Sequence, residues 1–187
     1  MKLMFSNTLC AAFLVEIVKN FEKFHGKGYL GRTAMQKLAY FCQATGVPIP
    51  CSFEIYNYGP YSDQVTFAVD SLLADEVISD ISNNPSVYSN YRISGQDVKF
   101  SPELAKRVHQ SERQIENVVH VLGGFKPQQL ELIATLHFVA SRRRTIYGKA
   151  PSKEEVLNAF FGVKGNKFDR AEVGHWYDSL KRAELVA

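Results

Sequence analysis

TAMQKLAYFCQATGVPIPCSFEIYNYGPYSDQVTFAVDSLLADEVI, residues 33–78, reads as two helices joined by an aromatic-rich connection. Thr33 with Gln36 three positions on has the spacing of a capping box, which predicts a helix start there. Met35, Leu38, Ala39 and Cys42 then share one helical face, and Gly46 followed by Pro48 ends it. Ser62 is placed to cap a second helix, with Asp63 at the end whose backbone dipole favours a carboxylate. Val65, Val69, Leu72 and Leu73 form the apolar face of that helix. Val77–Ile81 then alternates as a strand does. Helix, helix, strand is the order of a winged helix-turn-helix.

Working outward, Gly26, Gly28 and Gly31 bracket Tyr29-Leu30, a candidate first strand for the wing sheet. Ser82–Ser86 supplies turn chemistry for the wing tip, Tyr88–Ser94 the return strand, and Gly95-Gln96-Asp97 a further turn. Upstream, the apolar run Leu9–Val15 could pass for a signal peptide. Glu16 interrupts it, and Ile17, Val18, Phe21 and Phe24 continue it at helical spacing, which favours an amphipathic helix over Thr8–Phe24. Downstream, Ser101-Pro102-Glu103 opens one long helix whose stripe is Val108, Ser111, Ile115, Val118 and Leu122, stopped by Gly123-Gly124. QQLELIATLHFVA, residues 128–140, is apolar on nearly every side and predicts a central helix, with His137 a core histidine. Ser152 and Glu155 make a capping box for a helix to about Phe161, and another helix runs from Asp169 to Arg182. Leu180–Val186 echoes Leu72–Ile78 and suggests a second, truncated helix-turn-helix. The fold expected is mainly α with a small β wing: a winged-helix-like module over 1–100 packed on a helical bundle over 101–187.

Gln36-Lys37-Leu38, Tyr40-Phe41, Phe53, Tyr58-Gly59-Pro60-Tyr61-Ser62, Leu72-Leu73 and Val77-Ile78 together resemble the Panacea domain family, also called SocA-like, and the related YwgA-like proteins. The resemblance is close over about a quarter of the chain. It implies a prokaryotic or phage-borne helical protein, in many cases an antitoxin partner of unrelated toxins, with no catalytic residues to carry over.

Net charge is +3, too little to argue for polyanion binding in general. Its distribution is uneven: residues 1–37 carry +4, residues 38–91 carry −6 with no Lys, Arg or His, and residues 92–187 carry +5. Cys10, Cys42 and Cys51 are odd in number and lack CxxC spacing, which argues against a disulfide framework and fits a reducing cytoplasm. No apolar run is long enough for a membrane span. The histidines are scattered without metal-site spacing, and neither a phosphate loop nor a GxSxG or dinucleotide fingerprint is present. The expectation is therefore a protein without catalysis, metal or cofactor.

Two readings of function remain. Seven aromatics crowd residues 40–67, Tyr40, Phe41, Phe53, Tyr56, Tyr58, Tyr61 and Phe67, and serve either as core or as a contact surface. In the first reading Glu54, Tyr56, Tyr58, Tyr61, Asp63 and Asp70 bind a partner protein of the toxin kind. In the second, the chain is a DNA-binding regulator. A reading helix needs Arg, Lys, Asn or Gln, and Ser62–Glu76 offers only Gln64 against four acids. The cations would have to come from the C-terminal half: Arg142, Arg143, Arg144, Lys164, Lys167 and Arg170. The arginine triplet equally suits the negative end of a helix dipole.

Overall fold

The computed structural model describes residues 6–85, 87–95 and 100–186. Eight helices and two two-stranded sheets are found among them, so the protein is mainly α with a small β wing. Two compact units are resolved: Met1–Glu54 with Tyr61–Lys126, and Ile55–Pro60 with Pro127–Ala187.

In the first unit α1 (Leu9–His25) is the central element. It packs against α2 (Arg32–Ala44), α3 (Asp63–Ala74), α4 (Pro102–Gln110), α5 (Glu112–Leu122) and strand β4 (Tyr91–Ile93). The run that imitates a signal peptide is core: Ala11 to Val15, Ile17, Val18 and Phe21 are all buried. Contact on several sides removes the need for a polar face, which is why the stretch looks like a leader. Thr8 caps α1, its hydroxyl accepting from the Ala11 amide at 3.2 Å. The contacts of α4 and α5 with α1 place both in this unit, so the compact units divide after Lys126 and not at residue 100 as expected.

The wing is β3 (Ile78–Asp80) paired antiparallel with β4, Ile78 opposite Ile93 and Asp80 opposite Tyr91. Backbone bonds from Ser94 to Val77 and from Ile81 to Asn90 extend the ladder at both ends. Of the expected tip and following turn, Ser86, Gln96 and Asp97 lie outside the described residues. Tyr29-Leu30 forms no strand. Leu30 nonetheless contributes one rung, its carbonyl accepting from the Tyr91 amide at 2.9 Å.

Three local expectations are corrected. The helix α2 starts at Arg32 behind Gly31, so Thr33 is already inside it and the Thr33–Gln36 capping box does not form. Gly31 lies where a Cβ would be 3.0 Å from the Ser89 carbonyl, and this close approach sets the helix start. Released from capping, the Gln36 side chain clamps the backbone of Ser62: its Nε2 donates to the Ser62 carbonyl and its Oε1 accepts from the Ser62 amide, both at 3.0 Å. The long helix from Ser101 is broken at Ser111 (φ −110°, ψ 3°) into α4 and α5. Ser62 does occupy the N-cap position of α3, but its hydroxyl donates to Gln64 Oε1 at 2.7 Å and does not cap.

The second unit is built on α6 (Pro127–Tyr147), whose residues Leu130–His137, Val139 and Ala140 are buried against α7 (Lys153–Lys164) and α8 (Arg170–Arg182). The Ser152–Glu155 capping box forms in full, and Asp169 caps α8 by accepting from the Glu172 amide at 3.0 Å. Strands β1 (Glu54–Tyr56) and β2 (Gly59–Tyr61) make a hairpin around Asn57-Tyr58, of which Ile55–Pro60 belongs to this unit. Gly59 holds φ +87°, a value that strains any side chain.

The sequence echo between Leu72–Ile78 and Leu180–Val186 is a repeated helix stop. Each α3 and α8 end closes with a six-to-one bond, Val77 to Leu72 and Leu185 to Leu180, both 2.9 Å. Each also has a five-to-two bond, Glu76 to Leu73 at 3.1 Å and Glu184 to Lys181 at 3.0 Å. That is the Schellman pattern, with glutamate at φ +58° and +56° where glycine is favoured.

Two stability measurements follow from these contacts. Gln36→Leu leaves the amide and carbonyl of buried Ser62 without their side-chain partner, and urea unfolding should show a loss of roughly 2–4 kcal/mol, with Gln36→Glu intermediate. Glu184→Gly relieves the left-handed strain at an exposed position and should raise stability by about 0.5–1 kcal/mol, or about 1–4 °C in Tm.

Candidate functional site

The Gln36 clamp fixes where α3 begins. Thr66 adds to it, its hydroxyl taking a bond from Gln36 Nε2 at 3.1 Å and sharing one with the Tyr61 phenol at 2.8 Å. Gln64 Oε1 accepts from the Ser52 amide and the Ser62 hydroxyl. With Val65, Val69 and Leu72 buried, the opposite side of α3 is Asp63, Phe67, Asp70 and Ala74, at helical steps of four, three and four, and all exposed. Phe67 is 69% exposed and stands between the two carboxylates.

Phe67 was one of the seven aromatics open to core or contact but not one of the six named partner residues, although its spacing from Asp63 and Asp70, out of phase with the apolar face, could have placed it there. The seven aromatics divide by role. Tyr40 and Phe41 are core, the Tyr40 ring meeting those of Phe41 and Phe53 edge-on at centroid distances of 5.3 Å. Burial pushes the Tyr40 phenol up from its ordinary pKa. Phe53 and Tyr61 are half-buried, and Tyr56, Tyr58 and Phe67 are exposed.

Of the six proposed partner contacts, Glu54, Asp63 and Asp70 are exposed and belong with Tyr61 to the first unit, while Tyr56 and Tyr58 belong to the second. Of the other acids in the cation-free stretch, Glu76 is exposed. Asp80 is half-buried and accepts from the amides of Ser82 and Asn90 at 3.0 and 2.8 Å. Asp75 differs from the others. It is buried, its Oδ2 accepting from the Ser6 amide at 2.8 Å.

The cations proposed for phosphate contact are engaged differently. Glu131, 3% exposed on α6, is met by Lys164 at 2.8 Å and by Lys167 at 2.7 and 2.8 Å. Lys164 also donates to the Asn57 carbonyl at 2.9 Å, and its side chain is 4% exposed. Lys167 lies over the Tyr58 ring at 5.2 Å. Burying a carboxylate is costly unless cations and hydrogen bonds surround it, so Glu131 draws Lys164 into the interior of the unit and holds Lys167, whose side chain stays partly exposed, at its edge. The sequence signal was Glu131 itself, a carboxylate flanked by Leu130 and Leu132 near the start of α6. Arg170 pairs with Glu154 at 2.6 Å on the surface, where such a pair contributes little. Arg143 is half-buried beside Glu155 at 4.0 Å and over the Tyr147 ring. Arg142 and Arg144 are exposed on the last turns of α6.

Among the described residues no group of three or more His, Cys, Asp or Glu side chains is placed to hold a metal ion, and no helix is long and apolar enough to cross a membrane. The chain matches no family model and no curated protein.

His137 is buried on α6, and burial lowers its imidazole pKa to about 4, partly opposed by a backbone hydrogen bond involving Leu185. The unfolded chain takes up a proton near pH 6.5, the folded chain only near 4. The stabilising effect of the neutral ring is therefore complete above pH 6.5 and is lost as pH falls from 6.5 toward 4, by up to about 3 kcal/mol. Urea midpoints across that window should fall in the wild type and fall distinctly less in His137→Gln.

Proposed function

We propose that the protein is a non-catalytic binding protein that recognises a basic partner protein through the outward face of α3, in the manner of an antitoxin holding its toxin. The observation that carries this reading is Phe67, 69% exposed between Asp63 and Asp70. A single exposed ring is ordinary on a protein surface. This one lies on the helix that directly precedes the wing, the position from which winged-helix proteins read DNA, and there it is flanked by negative charge.

That combination suits a cationic polypeptide with an apolar anchor. The aromatic side chain supplies buried area at low entropic cost, and the carboxylates speed encounter and exclude wrong partners. Phosphate is repelled by the same face. Gln64, the one side chain on α3 suited to base edges, has its Oε1 occupied by Ser52 and Ser62. The resemblance of QKLAYF and YGPYS to the Panacea family supports the same class of function. The alternative, nucleic-acid binding by the basic half, loses Lys164 to the interior and rests chiefly on Arg142 and Arg144.

The test is affinity capture from the source cell with the wild type, Phe67→Ala and the double variant Asp63→Lys with Asp70→Lys. Phe67→Ala, at an exposed position, should melt within about 0.5 kcal/mol of wild type, while the double variant should lose about 1 kcal/mol yet stay folded, because Asp63→Lys puts a cation at the positive end of the α3 dipole. The captured protein should be lost or weakened by roughly 30-fold or more in each variant, the size of a central contact residue. Undiminished capture of the same protein by both variants removes α3 as the contact.

A further inference from the structure

The three cysteines are not equivalent. Cys10, in the first turn of α1, and Cys51, in the segment that follows α2, bring their Sγ atoms to 3.0 Å. Both are buried at 7% exposure, and 41 positions of chain separate them. The backbone on each side is anchored: Cys10 by the helix, Cys51 by its carbonyl, which accepts from Gln43 Nε2 at 2.6 Å, and by its amide, which donates to Ile49 at 2.9 Å. A disulfide bond is about 2.05 Å long, so joining these sulfurs needs about 1 Å of approach. Cys42 lies fully buried on α2, and burial pushes its thiol up.

We infer that Cys10 and Cys51 form a peroxide-sensitive thiol pair that closes into an intrachain disulfide. The two sulfurs have different parts in it. The hydrogen bond shared with Cys10 holds the Cys51 thiol below its ordinary pKa, while the same bond and burial hold Cys10 above it. The thiolate is the nucleophile, so Cys51 reacts first. Its Sγ attacks one oxygen of hydrogen peroxide, the O–O bond breaks, the departing hydroxide takes a proton to become water, and Cys51 is left as a sulfenic acid. Cys10 Sγ then attacks the Cys51 sulfur. The S–S bond forms, the S–O bond breaks, and the hydroxide leaves as a second water with the Cys10 proton. Two thiols give up two electrons, and one peroxide becomes two waters.

The bond would form beneath the start of α3, since Cys10 Sγ also lies 3.8 Å from the Gln64 carbonyl in the first turn of that helix. This inference is independent of what α3 binds.

The experiment uses the full chain, reduced, freed of reductant and exposed to a small excess of hydrogen peroxide. Intact mass should fall by two hydrogens, and digestion without reductant should yield the Cys10 peptide linked to the Cys51 peptide. Cys42 should remain alkylatable after denaturation, and dithiothreitol should restore the original mass. In Cys10→Ser no linked peptide should form, and dimedone should trap a sulfenic acid on Cys51. In Cys51→Ser, Cys10 should take up no dimedone. A bond from either residue to Cys42, a cross-link between chains, or a wild-type chain that oxidises without the linked peptide overturns the proposal. The wild-type mapping decides it even if a serine variant folds poorly.

Discussion

The first unit depends on one side chain reaching across from α2 to the chain that enters α3. Gln36 offers an amide donor and acceptor to the amide and carbonyl of Ser62, as a neighbouring backbone strand would. Ser62 is 1% exposed, where either group left unmade would cost as much as a typical stabilising interaction contributes. The clamp therefore fixes the junction between β2 and α3, and the Thr66 and Tyr61 hydroxyls join it to the first turn of the helix. Gly59 and Ser62 are needed within YGPYS for different reasons. One takes the left-handed turn at φ +87°, and the other presents its backbone to the glutamine.

Local signals in the sequence were legible wherever the physics is local. The caps at Ser101 and Ser152 are made by the residues whose type and spacing announce them, and Thr8 and Asp169, read from the sequence only as helix ends, cap α1 and α8. The echo of Leu72–Ile78 in Leu180–Val186 was visible too, though its meaning was not. It marks two helix ends with one hydrogen-bond pattern, and a glutamate in each left-handed position hid the glycine that usually advertises this stop.

What was not legible depends on partners distant in sequence. Thr33 and Gln36 have the spacing of a capping box, but Gly31 begins the helix earlier and Ser62 competes successfully for the glutamine. Ser111 continues an apolar stripe in register, yet it is where α4 ends and α5 begins. Lys164 and Lys167 read as surface cations because most lysines are, yet the buried carboxylate of Glu131 engages both and encloses Lys164, while Lys167 stays partly exposed.

The same long-range effects decide which charges reach solvent, and so what the molecule can recognise. In the cation-free stretch 38–91, Asp75 is buried and Asp80 half-buried, while Glu54, Asp63, Asp70 and Glu76 are exposed. In the basic half, the buried Glu131 engages two of the six cations proposed for phosphate contact, and one of these is almost wholly enclosed. Formal charge thus overstates the capacity of the C-terminal half for polyanions, while most of the acid near α3 stays on the surface. An exposed phenylalanine among those carboxylates is poorly suited to a nucleic-acid backbone. A basic polypeptide could cover the ring and meet the charge at once, and this makes α3, and not the arginines of α6, the surface on which recognition is best sought.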